Sequence, residues 1–223
     1  MPSSVAVRGH PFQRIGHGGA SALAPANTLA SFDAALAVGV DMVEFDVRAH
    51  RGELVLAHTV FHARRGGNVR LRHALEHLSG GRFQQVELNV DVKHTGFEGE
   101  LLAELRERGL LERTLISSQV QAVLERVREL EPAVRLGISV GGRVARMSRR
   151  FGDWRQYVLR GLAERRWETV MAQYRLVDRR LVSEVVELKG TLCAWTVNER
   201  QAIERLRGLG VHGVATADPR LFA

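Results

Sequence analysis

Two carboxylates stand two positions apart in an otherwise apolar segment of this chain. Glu44 and Asp46 lie in residues 42–47 (MVEFDV), a pattern typical of a buried strand. Because successive side chains of a strand point to opposite faces, both carboxylates project from the same face. Buried charges of like sign are costly unless they bind a cation or share a proton. The pair therefore indicates a cation site or an acid–base role.

A third carboxylate lies in a second apolar segment. Asp91 belongs to residues 88–93 (LNVDVK), which end in Lys93. Oxygen ligands with no cysteine nearby favour a hard divalent ion such as Mg²⁺, Ca²⁺ or Mn²⁺ over zinc. Lys93 shares the face of Asp91, so it either neutralises that carboxylate or contacts a substrate phosphate.

Two histidines follow short apolar segments. His17 lies in residues 16–19 (GHGG), whose glycines let backbone amides approach an anion, and His58 follows residues 54–57 (LVLA). Two imidazoles at one mouth can divide acid and base roles, which suits displacement at phosphorus with a metal on the non-bridging oxygens. Structural roles are predicted for the remaining histidines, which are His10, His50, His62, His73, His77, His94 and His212.

Strand-like and helix-like segments alternate along the chain. The predicted strands are residues 14–16, 42–47, 86–92, 114–117, 135–140, 169–173, 191–197 and 214–216. Helical patterns separate them, and residues 219–222 form a truncated last helix. Strict alternation implies parallel strands, and eight repeats predict a single (β/α)8 TIM barrel, with an open doubly wound sheet as the alternative. In a barrel, polar residues at the carboxyl ends of the strands converge on one mouth.

Composition restricts the class of protein. The 223 residues are 45% hydrophobic and contain no linker or low-complexity block, which predicts one domain over residues 1–223. The formal charge of +7 invites a nucleic-acid reading. However, the arginines alternate with acids as on solvated helices, so no nucleic-acid ligand is expected. A cluster of Arg143, Arg146, Arg149 and Arg150 is predicted to be an exposed basic loop.

Cysteine content and hydropathy indicate the compartment. The single cysteine, Cys193, lies in an apolar run, which predicts a buried thiol and no internal disulfide. Residues 1–13 lack the apolar centre of a signal peptide, and no run of about 18 apolar residues occurs. A cytoplasmic protein without stable membrane insertion is predicted, and its oligomeric state is left open.

Eight motifs run in order through nearly the whole chain. They are HGG at 17–19, PANTLASF at 25–32, GVDMVEFDV at 39–47, LVLAH at 54–58, NVDVK at 89–93, ISS at 116–118, AWTVN at 194–198 and GVHGVATADP at 210–219. Together they closely resemble the glycerophosphodiester phosphodiesterase family. The resemblance implies a TIM barrel that hydrolyses glycerophosphodiesters to an alcohol and glycerol 3-phosphate with one divalent cation, Mg²⁺ or Ca²⁺, with Mn²⁺ as a further option.

The resemblance also implies roles for individual residues. The implied set is the acid–base pair His17 and His58, the metal ligands Glu44, Asp46 and Asp91, and the substrate-binding residues Gly18, Lys93 and Trp195. In the family's usual mechanism, the glycerol 2-hydroxyl attacks phosphorus while one histidine protonates the leaving alcohol. Water then opens the resulting cyclic phosphate. The substrate is expected to be a small phosphodiester.

Four positions depart from the family's pattern. Gly18 replaces an arginine, Ala26 a glutamate and Thr59 an aspartate, while Asp91 is one methylene shorter than the common glutamate. The missing arginine forfeits a charge-assisted contact with phosphate of roughly 1.5–3 kcal/mol. The candidates to replace it are Arg64, Arg65 and Arg175.

The insertion after the second strand is also shortened. Only residues 58–71 stand where the family has a small insertion, so a shallower, more open substrate site is expected. The leading hypothesis is a metal-dependent phosphodiesterase. The alternative is a catalytically weakened member that binds a phosphorylated ligand or partner, and a third hypothesis is an unrelated barrel that uses a metal for sugar or aldol chemistry. Retention of both histidines and all three carboxylates favours the enzyme.

Overall fold

The strands form a closed parallel barrel. The computed structural model describes residues 12–141 and 154–223. Its strands are β1 Gln13–His17, β2 Met42–His50, β3 Glu53–Leu56, β4 Glu87–Val92, β5 Thr114–Ser118, β6 Arg135–Val140, β7 Thr169–Gln173, β8 Thr191–Trp195 and β9 Gly213–Thr216. All except β3 pair in parallel, and β1 pairs with both β2 and β9. The ring is therefore closed, which confirms the TIM barrel and excludes the open sheet.

Helices cover the outside of the ring. They are α1 Leu29–Val38, α2 Val60–Arg65, α3 Leu71–Ser79, α4 Glu98–Glu107, α5 Gln121–Leu130, α6 Trp154–Ala163, α7 Arg179–Glu187 and α8 Arg200–Leu209. A short 3₁₀ turn, Pro219–Phe222, stands in place of a last helix, as predicted. The main core packs between the outward side chains of the strands, such as Phe45 and Val90, and the helices.

A hairpin at the second strand brings His58 to the mouth. β3 is antiparallel to β2, with Val47 opposite Leu56, so the chain turns back on itself after extending beyond the ring. The Ala57 N–H then donates to the Asp46 carbonyl oxygen over 3.1 Å. His58 therefore returns to the level of Asp46. The apolar run at 54–57 is thus an added antiparallel strand and not part of the ring, and the short helix α2 follows it.

The interior of the barrel is apolar below its mouth. A separate cluster of inward side chains fills it, made up of Ile15, Met42, Leu115, Met171, Cys193 and Ala215. Cys193 is buried as predicted, and burial raises the pKa of its thiol to about 12. This apolar layer separates the polar groups at the carboxyl ends of the strands from a second polar group at their amino ends, where Gln13 donates to Glu87 and Arg135 pairs with the same carboxylate.

Some sequence predictions fall beyond the described residues. His10 and the cluster of Arg143, Arg146, Arg149 and Arg150 lie outside them. Within residues 12–141 and 154–223, none of the helices combines the length and apolar character needed to cross a bilayer.

Two helical glycines give a matched test of the packing. A Cβ on Gly161 in α6 would lie 1.8 Å from the ring of Trp167, whereas a Cβ on Gly208 in α8 would meet no atom within 4 Å. We expect Gly161→Ala to lower the free energy of unfolding by ~1–3 kcal/mol through overpacking. Gly208→Ala should raise it by ~0.5–1 kcal/mol because alanine restricts the unfolded chain. Urea denaturation followed by circular dichroism measures both, and equal effects would contradict this packing.

Candidate active site

Strand register brings the predicted site residues to one end of the barrel. On adjacent strands His17 is opposite Glu44, and Asp46 is opposite Asp91. A small cavity of about 40 Å³ lies among them. The predicted site residues that line it are His17, Glu44, His58, Asp91, Lys93 and Trp195. The structure therefore brings together residues that are far apart in the chain.

Three carboxylates form a tight cluster. Glu44, Asp46 and Asp91 each offer an oxygen, and these oxygens lie within 4.8 Å of one another. The Lys93 Nζ lies 2.6 Å from Asp46 Oδ1 and 2.6 Å from Asp91 Oδ2. Of the two roles predicted for Lys93, the structure shows neutralisation, directed at two carboxylates rather than one. One ammonium faces three carboxylates, so the cluster has an excess of negative charge.

Electrostatics distinguish the three acids. Burial raises the pKa of Glu44 well above its usual value, and the charge of Asp46 adds to the effect. Burial likewise raises the pKa of Asp91. For Asp46, burial acts in the same direction, but the hydrogen bond from His58 and the charge of Lys93 outweigh it and hold the pKa well below its usual range. Burial therefore disfavours the ionised forms of Glu44 and Asp91, whereas the partners of Asp46 favour its ionised form.

The two histidines occupy different environments. His17 Nε2 lies 3.3 Å from Thr196 Oγ1 and 3.9 Å from Glu44 Oε2, and burial lowers the pKa of this imidazole. His58 Nδ1 lies 3.1 Å from Asp46 Oδ1, and this hydrogen bond raises the pKa of His58. The His58 side chain is 56% exposed, against 29% for His17. His17 thus faces the β8 side of the mouth, and His58 lies at its open side.

The sequence does not single out Asn27 as a site residue. Its Nδ2 donates to Asp46 Oδ2 over 2.8 Å, and its Oδ1 accepts from the Asp46 N–H over 3.0 Å. Asn27 has a φ of 61°, a left-handed conformation that asparagine tolerates better than most residues. Asn27 lies in the PANTLASF motif, but no local spacing in the sequence predicts its contact with Asp46, because that contact is non-local.

Strand alternation could have identified two further residues. Asn89 precedes Asp91 by two positions and lines the same cavity, and its Oδ1 is buried without a hydrogen-bond partner. Arg48 follows Asp46 by two positions, and its Nε donates to the His58 carbonyl oxygen over 3.3 Å. Both positions follow from the rule that predicts the Glu44–Asp46 pair.

A larger cleft opens beside the small cavity. We call it the side cleft; it measures about 480 Å³, and its lining includes His17, Gly18, Ala26, His58, His62 and Arg65. Arg64 and Arg175 are not among the described residues that line it. His62, for which the sequence predicts a structural role, lies in its wall. His17 and His58 line both the small cavity and the side cleft. The two spaces therefore meet at the acid–base pair that the sequence predicts.

Two of the four departing positions have a clear structural role. The Gly18 N–H donates to Glu44 Oε2 over 2.8 Å, and its φ of 59° favours glycine. A Cβ at Gly18 would also lie 3.1 Å from the Cβ of Ala26. Thr59 caps α2, because its Oγ1 accepts from the His62 N–H over 3.1 Å. Position 18 therefore supplies a backbone donor, and position 59 begins a helix.

Comparisons with known proteins agree on the family. The model of the glycerophosphoryl diester phosphodiesterase family matches residues 17–76 and 84–221. A glycerophosphodiester phosphodiesterase of Caldanaerobacter subterraneus subsp. tengcongensis is 27% identical over 246 residues, which cover 92% of this chain and 93% of the relative.

Solved structures share the fold. A Silicibacter pomeroyi crystal structure, assigned as a glycerophosphoryl diester phosphodiesterase, has a TM-score of 0.83 at 23% identity over 96% of this chain and 93% of that one. An Oleispira antarctica phosphodiesterase, solved with the product sn-glycerol-3-phosphate, has a TM-score of 0.72 at 22% identity, covering 93% of this chain and 94% of that one.

The family match, together with this barrel and its acidic mouth, defines a TIM-barrel enzyme of the phosphoric diester hydrolase class. More narrowly, the chain belongs to the glycerophosphoryl diester phosphodiesterase family. The resemblance stated from the motifs is thereby confirmed.

Substitutions at Asn27 test its support of Asp46. Asn27→Gly removes one hydrogen bond to the buried Asp46 carboxylate and one from the Asp46 backbone N–H without straining the backbone, and we expect it to lower the free energy of unfolding by ~1–3 kcal/mol. Asn27→Ala should cost about 1 kcal/mol more, because alanine is strained at positive φ. Chemical denaturation of both variants gives the two contributions. If Asn27→Gly has the same free energy of unfolding as the native protein, the two hydrogen bonds do not contribute to stability.

Proposed function

We propose that this protein is a metal-dependent phosphodiesterase that hydrolyses glycerophosphodiesters, or a related small phosphodiester, to an alcohol and glycerol 3-phosphate. The supporting observation is the pair of histidines, His17 and His58, that flanks a buried cluster of three carboxylates. The product seen in the Oleispira antarctica relative agrees with this chemistry.

Glu44, Asp46 and Asp91 are the residues that would hold the cation. Asp91 Oδ1 is buried without a hydrogen-bond partner, and the neighbouring Asn89 Oδ1 is too. Unpaired buried oxygens are costly, and hard divalent ions such as Mg²⁺, Ca²⁺ and Mn²⁺ prefer oxygen ligands. When bound, such an ion would stabilise negative charge on the phosphoryl oxygens and lower the pKa of the attacking hydroxyl.

Other side chains would position the substrate. Trp195 lines the small cavity and is fixed by its Nε1, which donates to the Met171 carbonyl oxygen over 2.8 Å, so its ring is suited to contact the glycerol. Lys93 uses two of its three donors on Asp46 and Asp91 and keeps one for a phosphoryl oxygen. Gly18 contributes to the wall on the leaving-group side.

The surroundings of the two histidines divide their roles. His17 faces Thr196, which follows Trp195, so it is the base that takes the proton from the glycerol 2-hydroxyl. His58 lies on the open side and is the acid that protonates the leaving alcohol. The lowered pKa of His17 favours the neutral imidazole that a base needs, and the raised pKa of His58 favours the protonated imidazole that an acid needs.

In the first step the 2-oxygen forms a bond to phosphorus, and the bond from phosphorus to the leaving oxygen breaks. In the second step water attacks phosphorus, the bond to the 2-oxygen breaks, and a proton returns to that oxygen. The sum is one diester and one water converted to one alcohol and glycerol 3-phosphate. Each histidine ends in its starting protonation state, because the two exchange roles between the steps.

Thermal unfolding tests the cation site without any assay of activity. We expect Ca²⁺ or Mg²⁺ to raise the Tm of the native protein, by the equivalent of about 2.7 kcal/mol at a hundredfold excess over Kd. Asp91→Asn should lose most of this shift. Asp33→Asn on α1 removes the same charge from an ion pair with His77 of α3, neither of which belongs to the cluster, so it should keep the shift. Equal shifts in both variants would exclude the cluster as the site.

Leaving-group chemistry tests the division of roles. The p-nitrophenyl ester of glycerol 3-phosphate needs no general acid, because p-nitrophenolate leaves unprotonated. His58→Ala should therefore still release p-nitrophenolate in the first step, while losing roughly 10²–10⁴-fold in the first step on glycerophosphoethanolamine. His17→Ala should lose the first step on both substrates. Single-turnover kinetics of alcohol release decide it, and the reverse pattern would exchange the two assignments.

A catalytically weakened protein that binds a phosphorylated ligand or partner is the second candidate. It is favoured by Gly18, which carries no guanidinium, and by the two carboxylates that already engage Lys93. Calorimetry with glycerol 3-phosphate and Ca²⁺ separates the candidates. Binding without turnover of any glycerophosphodiester supports the second.

A further inference from the structure

The floor of the side cleft consists of small residues. Gly18 has no side chain and Ala26 has only a methyl group, so neither fills the space between them and α2. The volume of about 480 Å³ lies within the range of pockets that bind small molecules. The cleft therefore has room for a substituent of the substrate that the small cavity cannot hold.

The lining of the side cleft offers one cation, Arg65, that no described carboxylate engages. Among the described residues that line it, Asp46 is the one carboxylate, and Asp46 is already engaged by His58, Lys93 and Asn27. Arg65 lies in the wall at the end of α2 and is exposed. It makes no hydrogen bond or ion pair with another described residue. Its guanidinium is therefore available to a ligand, and it is an effective donor to carboxylates.

The cleft lacks the features that recognise a quaternary ammonium group. Such groups are bound over the faces of Trp, Tyr or Phe, and none of these is among the described residues lining the side cleft. Of the described lining residues, Asp46 alone carries a carboxylate that could balance a cation, and it is already engaged. A choline-like substituent would therefore be repelled by the positive charge of Arg65, with no free carboxylate among the described lining residues to offset that repulsion.

The position of the cleft connects it to the reaction. It shares His17 and His58 with the small cavity, and His58 is the proposed donor to the leaving oxygen. An alcohol displaced on the His58 side therefore extends into the side cleft. We propose that the side cleft binds the leaving alcohol and that Arg65 selects alcohols that carry a carboxylate. This inference rests on the proposed function.

Two substrates that differ by one carboxylate test the selection. Glycerophosphoserine and glycerophosphoethanolamine share the scissile phosphate and the ammonium group, so the ratio of their kcat/KM values reports the carboxylate alone. We expect the native protein, assayed with Mg²⁺ or Ca²⁺, to prefer the serine ester by roughly three- to fivefold, as an exposed charge pair allows. Arg65→Ala should bring the ratio close to one, Arg65→Glu should invert it, and Arg65→Lys should keep part of it.

Arg64→Ala is the matched control. Arg64 is the preceding residue of α2 and is also exposed, but it is not among the lining residues of the cleft. Arg64 carries the same charge as Arg65, so removing it reports only the long-range effect of one positive charge. We expect Arg64→Ala to keep the ratio of kcat/KM values that the native protein shows. Thermal unfolding of each variant checks that α2 is intact.

The outcomes separate the inference from the proposed function. If Arg65→Ala lowers kcat/KM equally for both esters, Arg65 acts on the scissile phosphate and the selection is overturned. A ratio of one in the native protein also overturns it, while the phosphodiesterase activity stands. If the native protein hydrolyses neither ester nor any other glycerophosphodiester, the proposed function falls and the inference falls with it.

Discussion

Three carboxylates buried within a few ångströms of one another dominate this structure. Taking an ion out of water costs several kcal/mol even after the protein relaxes, and like charges add to that cost. Glu44, Asp46 and Asp91 are accordingly surrounded by donors: the ammonium of Lys93, the imidazole of His58, the amide of Asn27 and the backbone N–H of Gly18. These donors do not remove the imbalance, because Asp91 Oδ1 keeps no partner. The same imbalance makes the mouth receptive to a cation.

The barrel makes this concentration of charge possible. Parallel strands in register place Asp46 beside Asp91, and the apolar interior around Met42 and Met171 lies directly beneath them. Low polarity below the site strengthens every interaction above it. Only a rigid scaffold can hold like charges this close, since a flexible segment would move them apart into solvent.

The mouth is asymmetric, and the asymmetry follows from local sequence. On one side Trp195 and the strands leave a small cavity, whereas on the other Gly18, Ala26 and the short segment carrying α2 leave the wide side cleft. That the shortened insertion leaves a shallower and more open site than in the family stays a prediction. His17 and His58 line both spaces, so a substrate bound between them would extend into the small cavity on one side and into the side cleft on the other.

The sequence by itself determined the alternating elements, the shared face of Glu44 and Asp46, and the positions of His17 and Lys93 at strand ends, because each depends on periodicities of two or 3.6 residues. One domain over residues 1–223 and a cytoplasmic location remain predictions. Tertiary structure alone decided that the run before His58 turns back as an antiparallel strand and that Asn27 binds Asp46. It also decided that Lys93 contacts two carboxylates. Of the three candidate arginines, Arg65 lines the side cleft, whereas Arg64 and Arg175 do not. These contacts join residues distant in the chain, and no spacing in the sequence encodes which side chains meet when the ring closes.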